Sequence, residues 1–170
     1  MSPAALTTVS QPARVDVCVR LMRAEDLDRV ADLYCEAATE DIHDRFFTIG
    51  RHIVETHLAD LASVDGPRCL VAVGHDDQIV GVVEMASVGD HAEEVALLVA
   101  SSLHHHGVGT TLLAAAVEDA RARGVCLLVA EVLASNHLML DVFANAGATL
   151  ARDGGEVTVT LPITQGDVHA

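Results

Sequence analysis

Apolar and polar residues alternate with a period of two through Val15, Val17, Val19 and Leu21, which predicts a strand with one buried face. The period then lengthens. In AEDLDRVADLYCEAATE, the residues Leu27, Val30, Ala31, Tyr34 and Ala38 fall on one helical face. Acids crowd its first turn, where the helix dipole favours negative charge. A weaker helical stretch covers His52–Ala62, after the apolar pair Phe46–Phe47. RCLVAVG and QIVGVVEMASV flank the polar turn His75-Asp76-Asp77 and predict a hairpin. Val95–Ala100 predicts a further strand, entered from an acidic turn holding Asp90, Glu93 and Glu94. It runs through SSLHHHGVGT into the helical segment TLLAAAVEDARARG, with Arg121 and Arg123 near its end and Gly124 as its stop. CLLVAEV is a strand; residues 136–146 form a helix with Asn136 as N-cap and Gly147 as stop. TLARD and EVTVTLP close the chain as a hairpin around Gly154-Gly155. The order β-α-α-β-β-β-α-β-α-β-β predicts an α+β (mixed α/β) sheet with helices on its faces, not a repeated βαβ fold.

Composition narrows this picture. The chain has 170 residues, enough for one aliphatic core, and 51% of them are hydrophobic, which excludes intrinsic disorder. Residues 1–13 read as a flexible arm, 14–163 as one domain and 164–170 as a tail. Net charge is −15, and all ten basic residues are Arg, with no Lys. Such a field repels nucleic acid and anionic membrane surfaces and favours cationic partners. Cys18, Cys35, Cys69 and Cys126 form no CxxC pair and read as small core residues of a reducing compartment. With no signal-like opening and no apolar run long enough to span a bilayer, the expected location is cytoplasmic.

Candidate chemistry centres on the strand–loop–helix unit. Gly107 and Gly109 precede a helix whose first N–H groups lack intrahelical acceptors, an arrangement that suits a phosphate. It is neither a P-loop, since no GK[ST] follows, nor the GxGxxG fingerprint, because the third position after Gly109 is Leu112.

The run EVALLVASSLHHHGVGTTLLAAAVEDARARGV resembles motif A of the GNAT superfamily of acyl-CoA-dependent N-acyltransferases, Gln/Arg-x-x-Gly-x-Gly/Ala between the fourth strand and the next helix. AEVLASNHLMLDVFANAGA is similar to the family's motif B, and VRLMRAEDLDRVADLY fits its first strand and helix, so the resemblance spans about residues 15–162. DRFF at Asp44–Phe47, AEEVALLVA and AEVLASNHLML look most like the acyltransferase domain of bacterial Pat-type protein lysine acetyltransferases. The resemblance implies a mostly antiparallel sheet of six to seven strands, helices on both faces and splayed fourth and fifth strands.

It also implies roles. The backbone of Leu97, Leu98 and Val99 would pair with the pantetheine arm of acetyl-CoA, the co-substrate. Amides of His104, His105, His106, Gly107, Val108, Gly109 and Thr110 would cradle its pyrophosphate, and Asn136 would contact it near the next strand. A carboxylate must help an ammonium lose its proton before the neutral amine attacks the thioester. Glu94 is the preferred general base, Glu93 its nearest competitor and Glu84 the third candidate. The position where the family often carries a Tyr acid for the leaving thiolate is Phe143, which has no hydroxyl. The loop also departs from the pattern by carrying His104 and His106 at positions that are commonly Gln/Arg and Arg, and no Arg follows until Arg121. An imidazole titrates near pH 6.5 in solution, so cofactor affinity is expected to rise as pH falls.

A metal reading of the triple His is not favoured, because adjacent residues seldom converge on one ion and no acid or Cys follows at ligand spacing. Phe46 and Phe47 read as packing residues or as the lip of an acceptor cleft; Glu40 and Asp44 read as a solvated helix face or as an attraction for a cationic amine. The expected activity is acetyl transfer from acetyl-CoA to a primary amine, with a lysine-bearing protein as the favoured partner. A polyamine or aminoglycoside acceptor is the alternative within the same chemistry. A catalytically weak acyl-CoA-binding module, favoured by Phe143 and the histidine loop, is the alternative outside it. A homodimer is an expectation from the superfamily. With no Lys, the chain has no side chain of its own to acetylate.

Overall fold

The computed structural model describes residues 13–46 and 51–164, without the side chains of Phe46, Arg51 and His52. The arm expected over 1–13 and the tail expected over 164–170 fall almost wholly outside these residues, as does Phe47. A seven-stranded sheet forms the centre, in the order β1-β2-β3-β4-β5-β7-β6. Its strands are β1 (Cys18–Leu21), β2 (Arg68–Val73), β3 (Ile79–Gly89), β4 (Ala92–Val99), β5 (Leu127–Leu133), β6 (Thr149–Asp153) and β7 (Glu156–Pro162). Every neighbouring pair is antiparallel except β4 with β5. The helices are α1 (Leu27–Glu36), α2 (Thr39–Phe46), α3 (Arg51–Leu61), α4 (Val108–Ala122) and α5 (His137–Asn145). The mixed, mostly antiparallel sheet expected from the sequence is thus the one observed.

Strand alternation sorts the apolar residues onto two layers. On one face, Leu70, Ala72, Val83, Met85, Val95, Leu97 and Val99 pack with Leu112, Leu113 and Ala116 of α4 and with Leu140 and Phe143 of α5. On the other, Cys69, Val71, Val82 and Leu98 pack with Val30, Leu33 and Tyr34 of α1, Ile42 of α2 and Val54 and Leu61 of α3. Both faces are therefore covered by helices.

Several boundaries differ from the sequence pattern, each for a local reason. The first strand pairs only over Cys18–Leu21, because the Val15 amide donates instead to the His106 carbonyl in the glycine loop (3.2 Å). The first helical pattern splits at Ala37, whose extended backbone (ψ 141°) ends α1 and lets α2 begin at Thr39. The acidic turn is narrower than expected: Glu93 and Glu94 lie within β4, which starts at Ala92. α4 begins at Val108, three residues before the predicted start, because Gly107 takes the left-handed conformation (φ 84°) and acts as its N-cap. Asn136 caps α5 as predicted, accepting from the Met139 amide at 3.0 Å.

Candidate active site

β4 and β5 are joined for only three residue pairs, Ala92–Leu127, Glu93–Leu128 and Glu94–Val129, and then part. β4 keeps β3 on its other edge up to Val99, and β5 keeps β7 along its whole length. Beyond Glu94, β4 has no strand beside it on the β5 side among the described residues, so the backbone of Val95–Val99 borders an open slot. A cavity of about 280 Å³ fills this fork. Its walls include Glu94 through Val99, Ala130–Val132 of β5, Asn136, Met139 and Phe143 of the α5 region, and Asp41, Asp44 and Arg45 of α2.

The strand period separates the candidate glutamates. Glu93 points to the α4 face, is 8% exposed, and receives two hydrogen bonds from Arg123 (2.5 and 2.7 Å). The same Arg123 reaches Asp119, which Arg68 also holds. These contacts raise the Arg123 guanidinium further above its ordinary value, chiefly through the hydrogen bond to Glu93. Glu93 is thus committed to an ion pair and does not line the fork.

Glu84 is 3% exposed on the opposite face. The Tyr34 hydroxyl donates to it at 2.6 Å, Arg45 Nη2 donates at 2.5 Å, and His57 Nε2 lies 2.9 Å from the carboxylate. Burial pushes the Glu84 pKa up, but the His57 hydrogen bond, the Arg45 charge and the Tyr34 hydroxyl together hold it below the usual carboxylate range. Burial, with Glu84 alongside, keeps the Tyr34 phenol well above its ordinary value. This buried cluster anchors Arg45, and with it α2, against the sheet.

Glu94 alone of the three is exposed and borders the fork, at the last residue pair before the strands separate. Asp41, Asp44 and Glu131 add acids to the same walls, with burial raising the Asp44 pKa, whereas Glu40 is exposed and lines no part of the cleft. Asp41 and Glu131 were not singled out from sequence. The spacing of Asp41 and Asp44 places both on one helical face, a signal that was available, whereas the approach of β5 to α2 was not.

A second cavity of about 470 Å³ continues the slot past Val99, His104 and Met139, which line both. His105, Gly107, Val108, Gly109, Thr110, Val142 and Arg14 also border it. The Val108, Gly109 and Thr110 amides precede the first α-helical bond of α4, in which Thr111 donates to Gly107 O at 3.0 Å. The His104 and His106 amides are instead bonded within the loop, to Ser101 O and Leu103 O, each at 3.3 Å. A Cβ at Gly109 would sit 3.6 Å from Val142 and 3.8 Å from Val99, ordinary contact, so packing does not demand glycine there.

The side chains of the histidine triplet diverge. His104 Nε2 lies 3.2 Å from Val99 O and 3.7 Å from Asp41 Oδ1, and Asp41 in turn accepts from Ser101 Oγ. His106 Nδ1 lies 2.7 Å from His104 O, and His106 lines neither cavity. His105 is exposed with a positive φ of 65°. Leu97 and Leu98 border the fork, Phe143 forms its wall at 1% exposure, and Asn136 reaches it from the α5 cap. The expected site residues other than His106 therefore line two joined cavities, and the loop that lacks arginine in sequence has Arg14 beside it in space.

A parallel strand pair that forks over a slot, continuous with a glycine loop at a helix N-terminus, is the framework of an acyltransferase site. Residues 27–148 match the sequence model of the acetyltransferase (GNAT) family, and the chain belongs to that family of acetyltransferases. Among solved structures, the GNAT domain of S. lividans PAT is 26% identical, with a TM-score of 0.73 over 86% of this chain and 90% of that one. A GNAT superfamily phosphinothricin acetyltransferase from Sinorhizobium meliloti, in complex with AcCoA, shares 14% identity at a TM-score of 0.70 over 91% and 92% of the two chains. A PaiA N-acetyltransferase from Thermoplasma acidophilum, in complex with coenzyme A, shares 16% at 0.66 over 86% and 99%. These last two show the common fold.

Proposed function

We propose that this enzyme transfers an acetyl group from acetyl-CoA to a cationic primary amine, with Glu94 as general base. The observation that carries the assignment is the position of Glu94: exposed, at the fork between β4 and β5, in a cleft that leads to the glycine loop. The open backbone edge at Leu97–Val99 suits the pantetheine arm, which would add to β4 as a strand does. The Val108–Thr110 amides at the α4 N-terminus suit the pyrophosphate. Gly109 lines that second cavity, and an added Cβ would touch only Val142 and Val99, which line it too; a glycine that packing does not require there is consistent with close approach of a ligand to the backbone.

The acceptor arrives as an ammonium, which Asp41, Asp44, Glu94 and Glu131 attract. Glu94 removes its proton, directly or through a water. The amine nitrogen then bonds to the thioester carbonyl carbon, the C–S bond breaks as the thiolate leaves, and the nitrogen gives up its second proton, through solvent, to that thiolate. Phe143 supplies no proton to that sulfur but walls the slot against water. The acidic cleft and the Pat-like segments favour a lysine side chain of a protein as acceptor.

Thiol release from acetyl-CoA, measured with a lysine peptide, spermidine and an aminoglycoside, tests the reading. Turnover with the lysine peptide that falls at least about 100-fold in Glu94→Gln is expected. Turnover with the small amines alone overturns the protein acceptor. CoA binding without amine-dependent turnover above the Glu94→Gln level overturns the enzyme reading and leaves a binding module.

A further inference from the structure

The loop His104-His105-His106-Gly107 carries no residue with permanent charge, yet a CoA pyrophosphate is doubly anionic and the chain around it has a net charge of −15. We propose that Arg14, brought in from the segment before β1, is the cofactor-phosphate arginine of this enzyme. The inference rests on the acetyl-CoA reading above.

Three observations support it. First, the Arg14 side chain lines the same cavity as His105, Gly107, Gly109 and Thr110, and lies across Gly107, where an added Cβ would be 3.2 Å from Arg14 Nε and 3.4 Å from its Cγ. Second, the next residue is tied to the loop, because Val15 N donates to His106 O at 3.2 Å. That bond couples the position of Arg14 to the loop itself. Third, arginines in this chain take acids: Arg20, Arg23, Arg29, Arg45, Arg68, Arg121 and Arg123 are all ion-paired. Among the described residues Arg14 makes no hydrogen bond or ion pair, a state shared only with Arg152 on the edge strand β6. With 25 acids to 10 arginines, a guanidinium facing a cavity beside a helix N-terminus is placed for an anion from outside the chain. Asp141 on α5 also borders this cavity and opposes the anion, so Arg14 offsets it, while His104 and His105 add charge only when protonated.

Arg14 is exposed, so its loss leaves the fold intact. Calorimetric titration of the full chain with CoA tests the proposal, using wild type, Arg14→Gln, Arg14→Lys and Arg152→Gln. Arg152→Gln makes the same change in net charge away from the cavity. Arg14→Gln is expected to weaken CoA binding about tenfold, the loss of one charge-assisted hydrogen bond, with Arg14→Lys between it and wild type. S-acetylpantetheine, which carries no phosphate, should show the same kcat/KM with wild type and Arg14→Gln. Equal CoA affinities in Arg14→Gln and Arg152→Gln overturn the Arg14 assignment alone. A wild-type chain that binds no CoA overturns the acetyl-CoA reading together with it.

Discussion

Replacing each of Glu84, Glu93 and Glu94 by glutamine should separate stability from catalysis on adjoining strands. Glu84→Gln keeps the side chain's shape but removes the charge that Glu84 sets against the Arg45 guanidinium, which is 15% exposed. Removing one partner of a buried pair costs about 3–5 kcal/mol, and the residual exposure of Arg45 places this case near about 3. For a chain of 170 residues that lowers Tm by roughly 6–12 °C. Glu93→Gln leaves Arg123 paired with Asp119, so its loss is smaller, about 1–2 kcal/mol. Glu94→Gln removes an exposed acid and should change stability by less than about 0.5 kcal/mol. Its rate should fall about 100-fold or more, the range of a lost general base. The assay pairs thermal unfolding with thiol release at fixed pH on the same samples. A Glu94→Gln protein retaining wild-type kcat/KM refutes the assignment. So does a Glu84→Gln protein that melts like wild type yet has lost turnover, because that would make the buried carboxylate the base.

Glu84 has a depressed pKa in the folded state, so the stability it contributes is present above its ordinary carboxylate value, about 4.3. It is lost as pH falls through the folded value, and the Tm gap between wild type and Glu84→Gln should narrow below about pH 4. CoA binding should be tighter at pH 6 than at pH 8, because His104 and His105 line the cavity proposed for the phosphate and an imidazolium attracts an anion more than an imidazole does. A flat calorimetric profile would count against a part for the histidines. Gly109→Ala should fold normally and weaken CoA binding by about tenfold or more, whereas Gly107→Ala should lose about 1 kcal/mol of stability through its φ of 84°. Asn136→Ala should cost about 1 kcal/mol by uncapping α5, readable as a small fall in Tm.

Periodicity alone carried the element order, apart from the break at Ala37 that makes two helices of one, and most of the core, because those depend on which side of a strand or helix each residue faces. Asn136 as a cap and Gly107 beside a helix start are equally local, and both were legible. What a linear pattern does not contain is which distant segments meet. Glu93 and Glu94 are adjacent in sequence, but the strand period turns one toward Arg123 and the other into the fork. The fork itself exists because β4 and β5 pair over three residues and then diverge, a relation between strands about 30 residues apart. Glu84 was a plausible base until Tyr34, Arg45 and His57 closed around it from three separate helices. Arg14 is the clearest case. The sequence near the loop shows only histidines, and the tertiary structure alone brings a guanidinium with no partner among the described residues from some 90 residues away to the face of Gly107. Local sequence thus determined the elements and the glycine loop, while long-range packing decided which charges are committed to the structure and which remain available for chemistry.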